Sequence, residues 1–249
     1  MLKDLLAGMR FARRGFGLIT LKGVRRYVAI PLLINIVLFT LGIWYLASEF
    51  GAFMDRMLPD WLDWARWVLW PLFAVTMSIA VFYTFTVVAN LISAPFNALL
   101  AEKLEAKLTG QPLDGAFSFR ALAKTVKDAL VSELRKTGYL LLWLIPLLIL
   151  FLIPGLNLLA PFAWAAFGAW MLAIEYADYP MGNHGMIFTD ERHLLARERG
   201  LAFGFGGSVL LMTMIPVLNF LAMPVGVAGA TAMWVDRLRH TQARLEAKR

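Results

Sequence analysis

The segment best suited to binding a ligand is Lys22-Gly23-Val24-Arg25-Arg26, which comes directly before a long apolar run. Backbone N–H groups at the start of a helix lack intrahelical partners and carry the positive end of the helix dipole. Gly23 would let an oxyanion approach the backbone closely, and two adjacent guanidinium groups provide forked donors for tetrahedral oxyanions. The segment therefore indicates an anion site, with a positively charged membrane anchor as the alternative.

A second polar segment, Ser93-Ala94-Pro95-Phe96-Asn97, is followed closely by Glu102 and Glu105. A broken apolar helix with acids just beyond the break is typical of a transport path. A simple helix kink at Pro95 and a helix cap at Asn97 would explain the same residues equally well. Both interpretations stay open at this point.

The remaining polar residues indicate no enzyme and no cofactor. The cluster Gly204-Phe205-Gly206-Gly207 lacks the Lys-Ser/Thr of a nucleotide-binding loop and predicts close helix packing instead. A solvated linker is the expected setting of four further candidates: Glu175, Asp178, His184 and Arg192. The chain has no cysteine and three histidines, which excludes thiolate chemistry and argues against a metal site.

Composition identifies the solvent in which these elements must fold. Hydrophobic residues make up 60% of the 249 residues and charged residues only 16%. An average soluble domain is about 45–50% apolar and about 25% charged, so a soluble globular protein is excluded. The net charge of +7 comes from basic blocks beside apolar runs, which indicates a membrane protein rather than a partner of nucleic acid.

Charge-free runs locate the membrane segments within a single membrane domain, 1–249. The first run predicts a transmembrane helix over 27–48. The second predicts another over 67–94, because Pro95 should end that helix. Two longer runs, 137–174 and 200–235, each contain a turn in the middle and predict helical hairpins.

The two hairpins form an internal repeat with an offset of 62 residues. Ile153-Pro-Gly-Leu-Asn-Leu-Leu-Ala160 matches Ile215-Pro-Val-Leu-Asn-Phe-Leu-Ala222. The first arms, 137–153 and 200–215, are at or below the length of about 17 residues that a crossing requires. Six full crossings, or two crossings plus two re-entrant hairpins, are therefore both open. Re-entrant hairpins would place Asn157 and Asn219 in an oligomer interior or a pore.

Charge asymmetry predicts the sides of the membrane. The loop over 49–66 is acidic and should lie outside, whereas the N-terminus, the helical segment 95–136 and the tail are basic and should be cytoplasmic. Residues 1–20 lack the compact apolar core of a cleavable signal. Their apolar spacing predicts an amphipathic helix on the inner membrane surface.

Four stretches, in the right order from about residue 10 to 240, together resemble the CysZ sulfate transporters of bacterial inner membranes. The stretches are Gly23–Arg26 before Ile30–Asn35, Ser93–Glu105, Glu175–Met181 with His184-Gly185, and Arg199–Gly206 with Ile215–Asn219. The resemblance implies sulfate uptake for cysteine biosynthesis and an oligomeric, all-α membrane fold. It implies two long transmembrane helices, two re-entrant hairpins and amphipathic surface helices.

The resemblance also assigns roles by position. Arg25 and Arg26 would hold sulfate together with the amides near Gly23 and Val24, and Glu102 and Glu105, with Asn97, would lie near the permeation path. Sulfate, membrane lipid and further copies of the chain are the expected partners. Proton coupling, a passive channel drained by metabolism, and a non-transporting scaffold that binds anionic lipid or a partner remain alternatives.

Overall fold

The computed structural model describes residues 1–59, 64–111 and 119–247. Over these residues the chain forms nine α-helices and no strand, which confirms the all-α class. Two acids of the predicted outer loop, Asp60 and Asp63, lie outside the described residues, and so does the 112–118 part of the predicted cytoplasmic segment 95–136.

The helices differ strongly in length. A 3-10 turn, Leu156–Leu159, precedes α5, and a π-helical turn, Trp234–Leu238, follows α8. The α-helices are α1 Leu2–Ile19, α2 Arg26–Met57, α3 Trp64–Thr109, α4 Phe119–Leu152, α5 Ala160–Gly182, α6 Phe188–Arg197, α7 Arg199–Thr213, α8 Pro216–Met233 and α9 Arg239–Glu246.

Five helical segments in the described residues are long and apolar enough to cross a membrane. They are Arg26–Met57, Trp64–Val81, Val131–Leu152, Leu156–Gly182 and Pro216–Glu246. The protein is therefore a multi-pass membrane protein. Helix α7 is not among them: its 15 residues extend only about 22 Å at 1.5 Å per residue, against about 30 Å of hydrocarbon.

The expected helix end at Pro95 is wrong, because α3 continues through Pro95 to Thr109. Proline removes one hydrogen bond and kinks a helix, but it does not satisfy the backbone groups that a complete break would release. Continuing the helix keeps the other backbone groups paired, so it is the better solution. Helices α2 and α4 likewise continue through Pro31 and Pro146.

One compact unit consists of residues 1–25 and 97–249. In it, α1 packs against α7 and α8. The buried face of α1 is made of small residues, Gly8, Ala12 and Gly15, together with Leu18. The apolar periodicity of this helix did not indicate that face, because glycine contributes little to a hydrophobic pattern.

The prediction that the glycine cluster permits close helix approach is confirmed. A Cβ added at Gly204 would collide with the backbone of Leu5, and one at Gly206 with the backbone of Ala169. Gly226 likewise lies against the ring of Tyr176, 2.8 Å from the position of an added Cβ. Helices α1, α5, α7 and α8 can therefore approach each other through their backbones.

The other compact unit covers 26–96, which is α2 and the first part of α3. Phe50 stacks on Phe73 with ring centroids 3.9 Å apart, and Trp70 meets Phe50 edge-on at 5.1 Å. Arg66 donates to Asp55 at 2.6 Å. Most other α2 side chains are exposed and apolar, as expected of a helix surrounded by lipid.

An ion pair closes the base of each hairpin. Lys136, the last charge before the third apolar run, pairs with Glu175, the first charge after it, at 2.8 Å. Glu198 and Arg237, which flank the fourth run, pair at 3.2 Å. Each member of the second pair is 62 positions from its counterpart, which is the offset of the repeat, and the signs are exchanged.

Candidate anion site and buried acids

The turn that contains Gly23 connects α1 to α2 and is held at both ends. Gly23 has a φ of +84°, a backbone conformation that residues with side chains rarely adopt, and apart from its two chain neighbours no atom of the described residues lies within 4 Å of where its Cβ would be. Val24 is 1% exposed and anchors the turn. Its N–H donates to the carbonyl oxygen of Leu21 at 3.0 Å, and the N–H of Arg25 donates to the same oxygen at 3.2 Å.

These hydrogen bonds change the role expected of the backbone amides, which was to donate to sulfate. The Val24 amide is already satisfied within the turn, so Val24 contributes an anchor rather than a free donor. The open side of Gly23 keeps the approach to the turn unobstructed.

The two arginines have different surroundings. Arg25 ends the first segment, 1–25, of its compact unit and is exposed, whereas Arg26 begins α2. The Arg26 guanidinium lies 4.9 Å from the centroid of the Tyr27 ring and donates to the Tyr27 hydroxyl at 3.0 Å. Neither arginine forms an ion pair within the described part of the chain, so both charges are available to an anion.

Lys107 brings a further positive charge to the turn, and the sequence did not single it out. Its Nζ donates to the carbonyl oxygen of Lys22 at 2.5 Å. This contact ties the end of α3 to the Gly23 turn. The only indication in the sequence was a basic residue near a helix end, which is too common to be informative.

Glu105 is enclosed by donors rather than open to a path. It is 4% exposed and lies 2.9 Å from His184 Nε2, and it accepts a hydrogen bond from Trp234 Nε1 at 3.2 Å. These partners come from the turn after α5 and the π-helical turn after α8. Glu105 thereby joins three segments that are distant in sequence.

Asn97 and Glu102 do not join the Glu105 cluster. Asn97 is 3% exposed, and its Nδ2 has no acceptor among the described residues. Glu102 lies at the surface and pairs with Lys103 at 2.7 Å. The three residues predicted near the path therefore have three different environments: a buried amide beside Tyr179, an ion pair on the outside of α3 and a buried, bonded carboxylate.

A second group of acids surrounds Lys136, which is 7% exposed. Its Nζ lies 2.8 Å from Glu133, 2.8 Å from Glu175 and 3.4 Å from Asp178. Glu175 and Asp178 were expected in a solvated linker, but they lie in the C-terminal part of α5, and both pair with Lys136. The sequence did contain one indication of this cluster, which is the pair of opposite charges on either side of the apolar run that forms the hairpin. The two ends of a hairpin lie close together, so these charges could be expected to meet.

Glu191 in α6 is 1% exposed and was missed because a carboxylate in an amphipathic helix is expected on the wet face. Burial, together with the charge and the hydrogen bond of Asp178, raises the pKa of Glu191 from its usual 4.5 to about 9. Glu191 therefore holds a proton at neutral pH.

Together the helices and the exposed cations define a multi-pass, all-α membrane protein. Residues 11–224 match the family described as Sulfate transporter CysZ/Etoposide-induced protein 2.4. The chain belongs to this family, which confirms the resemblance and identifies the protein as a member of a transporter family rather than an enzyme.

Curated relatives match over nearly their whole lengths. The sulfate transporter CysZ of Pectobacterium atrosepticum is 42% identical over 246 residues, covering 97% of this chain and 89% of the relative. The protein of the same name from Pseudomonas fluorescens is 43% identical, with 93% and 94% covered. That of Salmonella typhimurium is also 43% identical, with 94% of each covered.

The protonated state of Glu191 predicts a dependence of stability on pH. Between pH 4.5 and about 9 the native protein binds a proton that the unfolded chain has released. The free energy of unfolding therefore falls as pH rises through this window. Glu191→Gln mimics the neutral acid, so we expect the melting temperature of the variant to fall less between pH 5 and pH 9 than that of the wild type.

Glu246→Gln is the matched control, because Glu246 is an exposed carboxylate that does not contribute to the shift of the Glu191 pKa. Its melting curves in detergent should follow the wild-type pH dependence. Equal slopes for Glu191→Gln and the wild type would show that Glu191 is ionised in the native state.

Proposed function

We propose that this protein carries sulfate across the bacterial inner membrane and supplies sulfur for cysteine biosynthesis. The observation that carries the proposal is the likeness, over almost the entire chain, to relatives named sulfate transporters. The basic N-terminus and tail support a cytoplasmic location of both termini.

We infer that sulfate is held at the turn formed by Gly23, Val24, Arg25 and Arg26. Three features support this site: an open glycine turn, two guanidinium groups without carboxylate partners in the described residues, and the nearby ammonium group of Lys107. Sulfate is a tetrahedral dianion, and forked guanidinium donors fit its oxygen pairs. Val24 contributes by fixing the turn.

We further propose that the two hairpins enter the membrane without crossing it and meet other copies of the chain. The stretch from Thr137, which follows Lys136 of the ion pair, to the end of α4 has 16 residues, and α7 has 15. Each helix segment extends about 22–24 Å, which is shorter than the hydrocarbon thickness of about 30 Å. Both tips expose apolar side chains that water would not favour, including Leu152, Leu158, Val217 and Phe220.

Labelling from outside the cell tests this depth. Since the chain lacks cysteine, Asn157→Cys and Asn219→Cys place single thiols at the two tips. We expect an impermeant thiol reagent to label neither rapidly, while Glu49→Cys, toward the predicted outer end of α2, reacts. Rapid labelling of both tips would favour six full crossings.

The arginine pair provides the test of the sulfate site. We expect Arg25→Ala with Arg26→Ala to weaken sulfate binding at least tenfold, because charge-assisted hydrogen bonds contribute about 1.5–3 kcal/mol each and about 1.4 kcal/mol is a factor of ten. Calorimetry measures the affinity, and sulfate uptake into proteoliposomes measures transport.

Arg10→Ala with Arg13→Ala is the matched control, since it removes two exposed charges from α1. The control should bind sulfate as the wild type does. Unchanged affinity in the Arg25 and Arg26 variant would remove the site, and absence of saturable uptake by the wild type would favour a scaffold.

Energetics favours coupling of sulfate uptake to protons. Moving two negative charges into a cell that is 100 mV negative costs about 4.6 kcal/mol, at about 2.3 kcal/mol per charge. A passive pore would then hold internal sulfate at about a thousandth of the external level or less at equilibrium. Metabolism must drain such a pore continuously, or protons must offset the charge.

We expect an inward proton gradient to stimulate uptake and Glu102→Gln to abolish the stimulation, since Glu102 ends the longest helix's charge-free run. Uptake is measured in proteoliposomes at a clamped voltage, with Glu246→Gln in the tail as the matched control. Equal rates with and without the gradient would leave the passive channel drained by metabolism.

A further inference from the structure

A cavity of about 510 Å³ lies among α4, α5, α6 and α7, away from the Gly23 turn. Its walls are mainly aromatic and aliphatic. Trp143 and Phe167 stack with ring centroids 6.0 Å apart, and Tyr139 lies 6.4 Å from the same Phe167 ring. The volume is in the range of sites that bind small ligands.

One end of the cavity carries positive charge. Arg192 lies over the Tyr139 ring at 5.2 Å and donates to His193 Nε2 at 3.3 Å, while Arg199 donates to the carbonyl oxygen of Ala196 at 3.1 Å. Within the described residues neither arginine has a carboxylate partner, and no acid lines the cavity. Two uncompensated cations therefore face an apolar space.

The other end is apolar and lies deeper along α4. The lining runs from Tyr139, beside the cations, to Leu147. Eight residues of helix correspond to about 12 Å, close to the depth of one leaflet, which is half of about 30 Å. The walls from α4 and α5 belong to candidate membrane spans, whereas α6, which supplies Arg192, does not. The charged end is thus placed at the headgroups and the apolar end toward the bilayer centre.

The cavity wall also contains an unused donor. Trp170 lines the cavity, and its buried indole N–H has no acceptor among the described residues. Buried polar groups normally have a partner, so an acceptor supplied by a ligand would complete the site. An ester carbonyl of a lipid is such an acceptor.

We propose that this cavity binds one anionic phospholipid, with its phosphate at Arg192 and Arg199 and an acyl chain along the aromatic wall. The unpaired arginines favour a net negative headgroup. The absence of acids from the lining gives no partner to the amine of a zwitterionic lipid. The length of the apolar part suits one chain of a single leaflet.

Native mass spectrometry of the purified full-length protein in detergent tests the proposal. Phosphatidylglycerol and phosphatidylcholine with the same acyl chains are titrated separately. We expect phosphatidylglycerol to bind the wild type at least about tenfold more tightly, as expected of charge-assisted hydrogen bonds. Arg192→Gln with Arg199→Gln should reduce this preference to less than about twofold.

Two further variants separate charge from cavity. Arg197→Gln with Arg244→Gln removes the same charge from exposed positions outside the cavity, and it should retain the wild-type preference. Ala163→Phe fills the apolar part and should weaken both lipids by a similar factor. Neither change touches the Gly23 turn.

Three results would overturn the proposal. They are equal affinity of the wild type for the two lipids, an unchanged preference in the Arg192 and Arg199 variant, and displacement of the lipid by glycerol phosphate or by sulfate at comparable concentration. Displacement by either small anion would indicate a site for free anions.

Discussion

A buried charged side chain must find a partner, and this requirement organises the compact helical unit. Removing one partner of a buried ion pair leaves an uncompensated charge and is strongly destabilising. At the base of the first hairpin Lys136 meets Glu175, and at the base of the second Glu198 meets Arg237. Each pair holds together the two ends of a run that is otherwise held by weak contacts between apolar surfaces. Both charges are reversed between the two repeats, so each repeat still has one cation and one anion that pair, although the individual residues differ.

The same requirement separates the acids from the proposed anion site. Glu175 and Asp178 surround Lys136, Glu105 is bonded to Trp234 and lies beside His184, and Glu198 is paired with Arg237. Glu191 is buried, and burial together with Asp178 keeps it neutral at pH 7. Each of these acids is thus paired, hydrogen-bonded or protonated. The cations near Gly23 keep their positive charge, as the proposed binding of a dianion requires.

The end of α3 lies between the proposed anion site and the buried cluster. Lys107 bonds to the turn at Lys22, and Glu105, two residues earlier, bonds to the segments that follow α5 and α8. The last turns of one helix therefore contact both the Gly23 turn and the buried cluster.

The sequence alone determined what depends on solvent and on local spacing. Composition excluded a soluble protein, charge-free runs located the apolar segments, and the repeat Ile153–Ala160 with Ile215–Ala222 located the two hairpins. The glycines Gly204 and Gly206 indicated close packing, since small residues have few other uses in an apolar helix. These properties follow from residue type and periodicity, which are visible without any tertiary contact.

Only the tertiary structure decided which polar residues meet. It placed Glu105 beside His184 and Trp234, engaged the Val24 amide within its turn, brought Lys107 to Lys22 and buried Glu191. It also carried α3 through Pro95, because a kink releases fewer backbone groups than a complete break. A side chain's environment depends on segments that are far apart in the chain, and one-dimensional spacing holds no information about which of them come together.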